Sequence, residues 1–144
     1  MEKSEKRQIP IVSDVFTWPS KEPSLIGSKC KACGCVSFPK SPVCGNADCT
    51  SKRDVEEVLL SRRGKLLSFT LVCYQPPPPY VGPKPFVPFP LGEVAFPEGV
   101  AVIGQVVGCK YEELKTGMEA EVFVDKLYED ENGNEIMGWK FRTV

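Results

Sequence analysis

Five of the seven cysteines fall between residues 30 and 49, and this cluster constrains the fold more than any other feature of the sequence. Cys30 and Cys33 form a C-x-x-C pair, and Cys44 and Cys49 form a second pair separated by the residues GNAD. Two thiolate pairs on tight turns supply the four soft ligands that a tetrahedral Zn²⁺ needs in a closed, structural site. The spacing therefore predicts a zinc-binding segment with these four cysteines as ligands.

Other uses of the same cysteines stay open. Cys35 is an alternative ligand, although C-x-x-C is the more usual metal-binding pair and leaves Cys35 as a spare. Four cysteines also bind iron–sulfur clusters, and a cluster without a metal would be only a small loop. Gly34 and Gly45 allow the chain to turn so that backbone N–H groups point at the sulfurs, which favours zinc.

Charge and composition narrow the class of protein. A net charge of −1 provides no field that draws in a polyanion, which argues against nucleic acid as a partner. The sequence has no apolar run of about 18 residues, and its start, MEKSEKRQIP, lacks the hydrophobic segment of a signal peptide. We therefore expect a cytoplasmic protein with no membrane partner, in which reduced cysteines bind metal rather than form disulfides. Without histidine, self-contained acid–base catalysis is not expected.

Breaks in the pattern divide the chain into three predicted segments. Residues 1–28 form an arm in which prolines limit any helix to a short one, and residues 29–53 form the metal-binding segment. Residues 54–144 contain five strand-like runs and one predicted short helix, CKYEELKTG, that ends at Gly117. The runs are KLLSFTLVCY, LGEVAF, VAVIGQVVG, MEAEVFVDKLYE and EIMGWKFRTV. This inventory predicts a mainly β protein that ends in a five-stranded Greek-key barrel of the oligonucleotide/oligosaccharide-binding (OB) type.

A proline-rich loop over residues 75–90 separates the first two of these runs. Each proline removes a ladder donor, so this loop cannot be a central strand. Its aromatic residues Tyr80, Phe86 and Phe89 are held rigidly, which suits a permanent contact with a protein partner. Stacking on bases is the alternative, but residues 61–144 carry nine basic against eleven acidic residues and so offer no basic groove.

The remaining reactive residue types suggest no catalysis. Cys73 and Cys109 lie in or beside strand-like runs without a partnering base, so we expect core or rim positions for both. The acidic residues Asp125, Glu129, Asp130, Glu131 and Glu135 crowd a predicted hairpin turn. A solvated turn accounts for them better than a catalytic carboxylate pair.

The order of these pieces resembles a known family. Its most specific motifs here are KCKACG with FPKSPVC, GKLLSFT, and IGQVVGC followed by LKTGM, preceded by a proline-interrupted arm and joined by a short acidic linker. They are similar to the zinc-ribbon/OB-fold proteins once classed as a domain of unknown function, and the resemblance covers the chain from about residue 10. Members usually have two residues inside the second cysteine pair, whereas this chain has four.

The resemblance implies a rubredoxin-like zinc ribbon before the barrel, and a non-catalytic accessory subunit of a thiolase-type acyl-CoA acyltransferase complex. Such a subunit docks on a thiolase-fold protein and helps enclose the acyl-CoA site. The small subunits of the (S)-2-benzoylsuccinyl-CoA thiolases of anaerobic toluene degradation are of this type. Hydratase or hydroxymethylglutaryl-CoA synthase complexes, and a single-strand nucleic-acid binding module, are the alternatives. The basic residues Lys29, Lys31, Lys40, Lys52 and Arg53 are candidates to face CoA phosphates, or form an ordinary solvated surface.

Overall fold

The nine strands of the described residues form two β-sheets, one beside the cysteines and one that includes a barrel. The computed structural model describes residues 7–51, 53–78, 81–82 and 84–144. Lys52 and Tyr80, named above as basic-surface and partner-contact residues, lie outside the described residues. Within these ranges, no helix has the length and apolar character needed to cross a membrane.

The smaller sheet is antiparallel and surrounds the first cysteine pair. Strand β1 (Gln8–Pro10) belongs to the larger sheet but lies outside the barrel ring, whereas β2 (Ile26–Cys30), β3 (Val36–Ser37) and β4 (Val55–Leu59) pair in the order β3-β2-β4. Strand β4 occupies the segment that resembled an acidic linker, and it pairs with β2 along its whole length. The small sheet thus continues past residue 53, the predicted end of the metal-binding segment. The predicted limits of the three segments stay predictions.

The larger sheet closes into a five-stranded barrel, which confirms the predicted OB-type fold. Its strands are β5 (Arg63–Val72), β6 (Phe89–Ala95), β7 (Ala101–Val107), β8 (Glu119–Glu129) and β9 (Glu135–Thr143). They pair in the order β5-β6-β7-β9-β8, and β8 returns to β5 to close the ring. Strands β7 and β9 are parallel and the other barrel pairs are antiparallel.

Both predicted helices differ from the structure. Arm residues 7–28 contain no helix; there β1 runs parallel to β9, with Gln8 opposite Glu135. In CKYEELKTG only a single 3-10 turn forms, Tyr111–Glu113. The chain becomes extended at Leu114, and the Gly117 N–H donates to the Leu66 carbonyl at 2.7 Å instead of continuing a helix. Tertiary hydrogen bonds therefore outweigh the local helix preference.

The end of the proline-rich loop also differs from the prediction. Phe89 and Pro90, placed in the loop from the sequence, begin strand β6. Pro90 lies opposite Leu71 of β5, whereas pairing between β6 and β7 starts only at Leu91. Because Pro90 stands where β6 still has an unpaired edge, its missing N–H costs no ladder bond.

A single core joins the arm to the barrel. Its fully buried members include Leu25 from the arm and Leu66, Val94 and Phe141 from the barrel. At Gly104 of β7 an added Cβ would lie 2.9 Å from the Phe141 ring, so the ring fills the space that the glycine leaves. The barrel interior is therefore packed with side chains, as small barrels are.

Contacts of Phe38 and Arg62 connect the N-terminal part of the chain to the barrel. Phe38, which follows β3, meets Trp139 of β9 edge to face, with ring centroids 5.6 Å apart. Arg62, between β4 and β5, donates to the Pro23 carbonyl at 3.1 Å and to the Glu121 carboxylate of β8 at 2.7 Å. Phe38 thus places the metal-binding segment against β9, and Arg62 connects the arm to β8.

Candidate metal centre

The first predicted ligand pair lies on a tight turn at the end of β2. Cys30 is the last residue of that strand, and its carbonyl accepts the Gly34 N–H at 2.8 Å. Gly34 has φ of +81°, a conformation that side-chain-bearing residues rarely adopt. The Cys30 N–H in turn donates to the Cys35 carbonyl at 2.9 Å, which closes the turn around Cys33.

The second pair lies on a turn organised by Asn46. The Asn46 N–H points at the Cys44 sulfur at 3.4 Å, and the Asn46 carbonyl accepts the Cys49 N–H at 3.1 Å. The Asn46 side-chain oxygen accepts the Asp48 N–H at 3.0 Å. This turn takes up the additional residues of GNAD and returns Cys49 to the first pair.

The four sulfurs form one compact group. The sulfurs of Cys30, Cys33, Cys44 and Cys49 all lie within 4.8 Å of one another. Cys30 and Cys49 are 3.7 Å apart at their sulfurs, and Cys33 and Cys44 are 3.5 Å apart. Four thiolates at about 2.3 Å from a tetrahedral zinc would be about 3.8 Å apart, whereas a disulfide would need about 2 Å. The geometry fits a tetrahedral Zn²⁺.

Ionisation of the thiols supports the same fit. A hydrogen bond from the Cys35 backbone holds the pKa of Cys33 down to about 6. The Asn46 N–H also favours the Cys44 thiolate, yet the pKa of Cys44 rises to about 12 because burial and the Cys33 and Cys30 sulfurs oppose a second negative charge. Without a cation the Cys44 thiol is therefore protonated, and a dication would remove the repulsion that keeps it so.

Cys35 lies beside this group and outside it. Its sulfur is 4.0 Å from the Val36 carbonyl, and its half-buried side chain packs against the buried cysteines. The structure thus brings together the two predicted pairs and leaves Cys35 at their edge. Cys73 is exposed and Cys109 is half-buried beside the core, away from the four-sulfur group.

The predicted phosphate-binding lysines surround the small sheet. Lys29 and Lys31 flank Cys30 and are exposed. Lys40 donates to the Glu57 carboxylate of β4 at 3.0 Å, and this contact raises the pKa of Lys40. Among the described candidates, Lys40 is therefore already paired with a carboxylate, whereas Lys29, Lys31 and Arg53 are exposed.

A cavity on the barrel was not foreseen from the sequence. It has a volume of about 600 Å³ and lies between the proline-rich loop and strands β7 to β9. Its lining includes Val87, Gln105, Leu127 and Lys140, which come from four separate parts of the sequence. The loop's composition signalled a functional surface, and Gln105 lies within the family motif IGQVVGC, whereas Leu127 and Lys140 lie in no motif.

Family membership follows from the two halves of the chain. Residues 18–56 match the sequence model of the rubredoxin-like zinc ribbon domain of ChsH2, and residues 57–125 match that of the C-terminal OB-fold domain of ChsH2. The chain belongs to the ChsH2 zinc-ribbon/OB-fold family. Membership in the ChsH2 family confirms the predicted resemblance and, with the clustered cysteines, supports a structural Zn²⁺.

Several ChsH2-family relatives match along most of their length. A DUF35 domain-containing scaffold protein of Pyrococcus furiosus is 38% identical over 83% of this chain and 83% of its own, and one of Methanocaldococcus jannaschii is 34% identical over 83% and 82%. The benzoylsuccinyl-CoA thiolase subunit BbsA of Thauera aromatica is 30% identical over 86% of this chain and 79% of its own. The solved structure of an Ltp2-ChsH2(DUF35) aldolase has the same fold, with a TM-score of 0.62, 21% identity, and coverage of 83% of this chain and 84% of its own.

Proposed function

We propose that this chain is a non-catalytic accessory subunit of an acyl-CoA thiolase complex, where it docks on the thiolase-fold subunit as a scaffold. The observation that carries the proposal is the similarity, over 83% to 86% of this chain, to proteins named as scaffold proteins and as a thiolase subunit. A cytoplasmic location agrees with the free cysteines, since a reducing compartment keeps them available for metal.

The proposed metal ligands are Cys30, Cys33, Cys44 and Cys49. A bound Zn²⁺ would supply structural cross-linking, because four cysteines leave no open position for substrate. The cross-link would hold a region whose own buried cluster consists of little besides these cysteines. The Phe38–Trp139 contact would then hold the zinc ribbon in a fixed position against the barrel.

The finer proposal concerns the substrate. Similarity to BbsA makes benzoylsuccinyl-CoA the specific candidate, and the exposed Lys29 and Lys31 are the candidate contacts for CoA phosphates. Charge reversal at both lysines should raise the KM for the acyl-CoA several-fold. Lys115→Glu on the barrel is the matched control, since Lys115 is also exposed. An unchanged KM in the double variant would remove CoA binding from this surface.

Reconstitution tests the main proposal. The protein is purified from its native source with the enzyme that accompanies it, and thiolysis of benzoylsuccinyl-CoA and acetoacetyl-CoA is measured with and without the zinc-loaded chain. We expect a thiolase-type enzyme whose activity or solubility depends on this chain. A partner that is fully active and soluble alone would show that the accessory role is wrong, and activity on acetoacetyl-CoA alone would reject the benzoylsuccinyl assignment.

A further inference from the structure

The barrel has a groove where OB folds place their ligands. Those ligands bind on the second and third barrel strands between the loop that follows the first strand and the loop that precedes the last. Here these elements are β6, β7, the proline-rich loop and the turn 130–134. The cavity of about 600 Å³ adjoins a second depression of about 420 Å³, and Val81 and Tyr128 line both. We call these two joined spaces the loop groove.

The walls of the loop groove are mostly apolar among the described residues. Val81 and Val87 are 49% and 56% exposed, and Leu127 faces them from β8. Phe89 is braced edge to face by Phe86, with ring centroids 6.1 Å apart. Because prolines already restrict this loop, a ligand that binds here would lose little affinity to loop ordering. Such walls suit an apolar side chain.

Lys140 is the one lysine among the described residues that line the cavity, and it does not make the cavity an anion-binding site. Lys140 has a side chain only 14% exposed and donates to the Asp125 carboxylate at 3.0 Å. This ion pair neutralises the charge next to the apolar wall. Among its described lining residues, the cavity therefore offers no uncompensated cation to a phosphate or carboxylate.

The rim of the loop groove is acidic. Glu129, Asp130 and Glu131 line the second depression, and Lys126 pairs with Glu129 at 2.8 Å. Asp130 is fixed by the N–H groups of Asn132 and Asn134, which hold the turn in place. A groove for single-stranded nucleic acid requires the opposite charge. Carboxylates next to an apolar cavity attract a cationic group that stands beside an apolar one.

We propose that the loop groove binds an extended segment of the partner enzyme that inserts an apolar side chain against Val87 and places a lysine or arginine at Glu131. This proposal rests on the accessory-subunit function, and it names the docking surface and the chemistry of the partner segment. The apolar insertion supplies affinity, and the basic residue sets orientation against the acidic rim.

Paired variants test the proposal with the purified partner enzyme and the zinc-loaded full chain. Val87→Glu is compared with Leu59→Glu on β4, because both side chains are 56% exposed and neither change buries a charge in the core. Val87→Glu should weaken binding by about tenfold or more, as loss of a central apolar anchor does. Leu59→Glu should change the Kd by less than about twofold, and unchanged Tm values would confirm that both variants fold.

A second pair tests the charge. Glu131→Lys should weaken binding more at low salt than at high salt, whereas Glu113→Lys, on the exposed 3-10 turn, should not.

Unchanged affinity in Val87→Glu, or tighter binding in Glu131→Lys, would overturn the groove proposal while the accessory role stands. Binding of a labelled dT15 oligonucleotide, or self-association that Val87→Glu abolishes, would assign the loop groove to a different occupant. Failure of any thiolase-type enzyme to bind the wild-type chain would instead refute the accessory role and the groove proposal together.

Discussion

Glu121 provides the sharpest test of how the barrel is held together. Its side chain is 12% exposed, and its carboxylate accepts hydrogen bonds from Arg62 at 2.7 Å and Arg142 at 3.2 Å, with the Arg63 Nε at 3.4 Å. Burial alone would raise the pKa of Glu121, but the arginine hydrogen bonds bring it below its usual value. The charged carboxylate therefore stabilises the fold.

The expected magnitude follows from these contacts. Glu121→Gln replaces charge-assisted hydrogen bonds with weaker ones and leaves the half-buried Arg62 without its carboxylate. From two such bonds we expect a loss of about 3 kcal/mol in the free energy of unfolding at pH 7. For a chain of this length that loss lowers Tm by about 10 °C.

The pKa shift of Glu121 predicts how its contribution to the free energy of unfolding changes with pH. Because the folded pKa of Glu121 lies below the unfolded one, its stabilisation is present above the unfolded value, near 4.5, and is lost as pH falls through the folded value. The difference between wild type and Glu121→Gln should therefore shrink in acid.

Urea unfolding from pH 8 to pH 3 measures this difference, and comparison of the two proteins at each pH cancels the acid loss of zinc that both share. Glu119→Gln is the control, because its carboxylate is 53% exposed and 4.0 Å from Arg63, and it should cost less than about 0.5 kcal/mol. Equal losses in both variants, or a difference that persists unchanged at pH 3, would refute the assigned role of Glu121.

Three further predictions concern the metal and the core. Cys49→Ser should lower bound zinc, measured by plasma mass spectrometry, to less than half an equivalent per chain, while Cys35→Ser should keep about one equivalent; the reverse result would make Cys35 the ligand. Gly104→Ala should cost about 2 kcal/mol in chemical denaturation, because its Cβ would lie 2.9 Å from the buried phenylalanine ring of β9, and a neutral effect would show that the core relaxes. A double-mutant cycle of Phe38→Ala and Trp139→Ala should give a coupling energy of about 1 kcal/mol, and additive losses would mean that the ribbon and barrel are not joined there.

Much of the architecture was predictable because its signals are local. The C-x-x-C pair requires only a tight turn after a strand, and the five apolar runs each recur as a barrel strand. The predicted helices do not form because tertiary hydrogen bonds outweigh the local preference for helix. Gly117 donates to Leu66, 51 positions away, and β1 adds to β9 across more than a hundred residues. No window of the sequence contains both partners of such a contact.

Local patterns in the sequence were enough to predict a zinc-binding segment followed by a five-stranded barrel, because ligand spacing and the lengths of the strand-like runs are properties of neighbouring residues. Only the tertiary contacts established that Arg62 connects the arm to β8, because Pro23, Arg62 and Glu121 are far apart in the sequence. The tertiary structure also decided that the proline-rich loop faces Leu127 and Lys140 across a cavity. These features depend on distances between residues that only the closed barrel brings together.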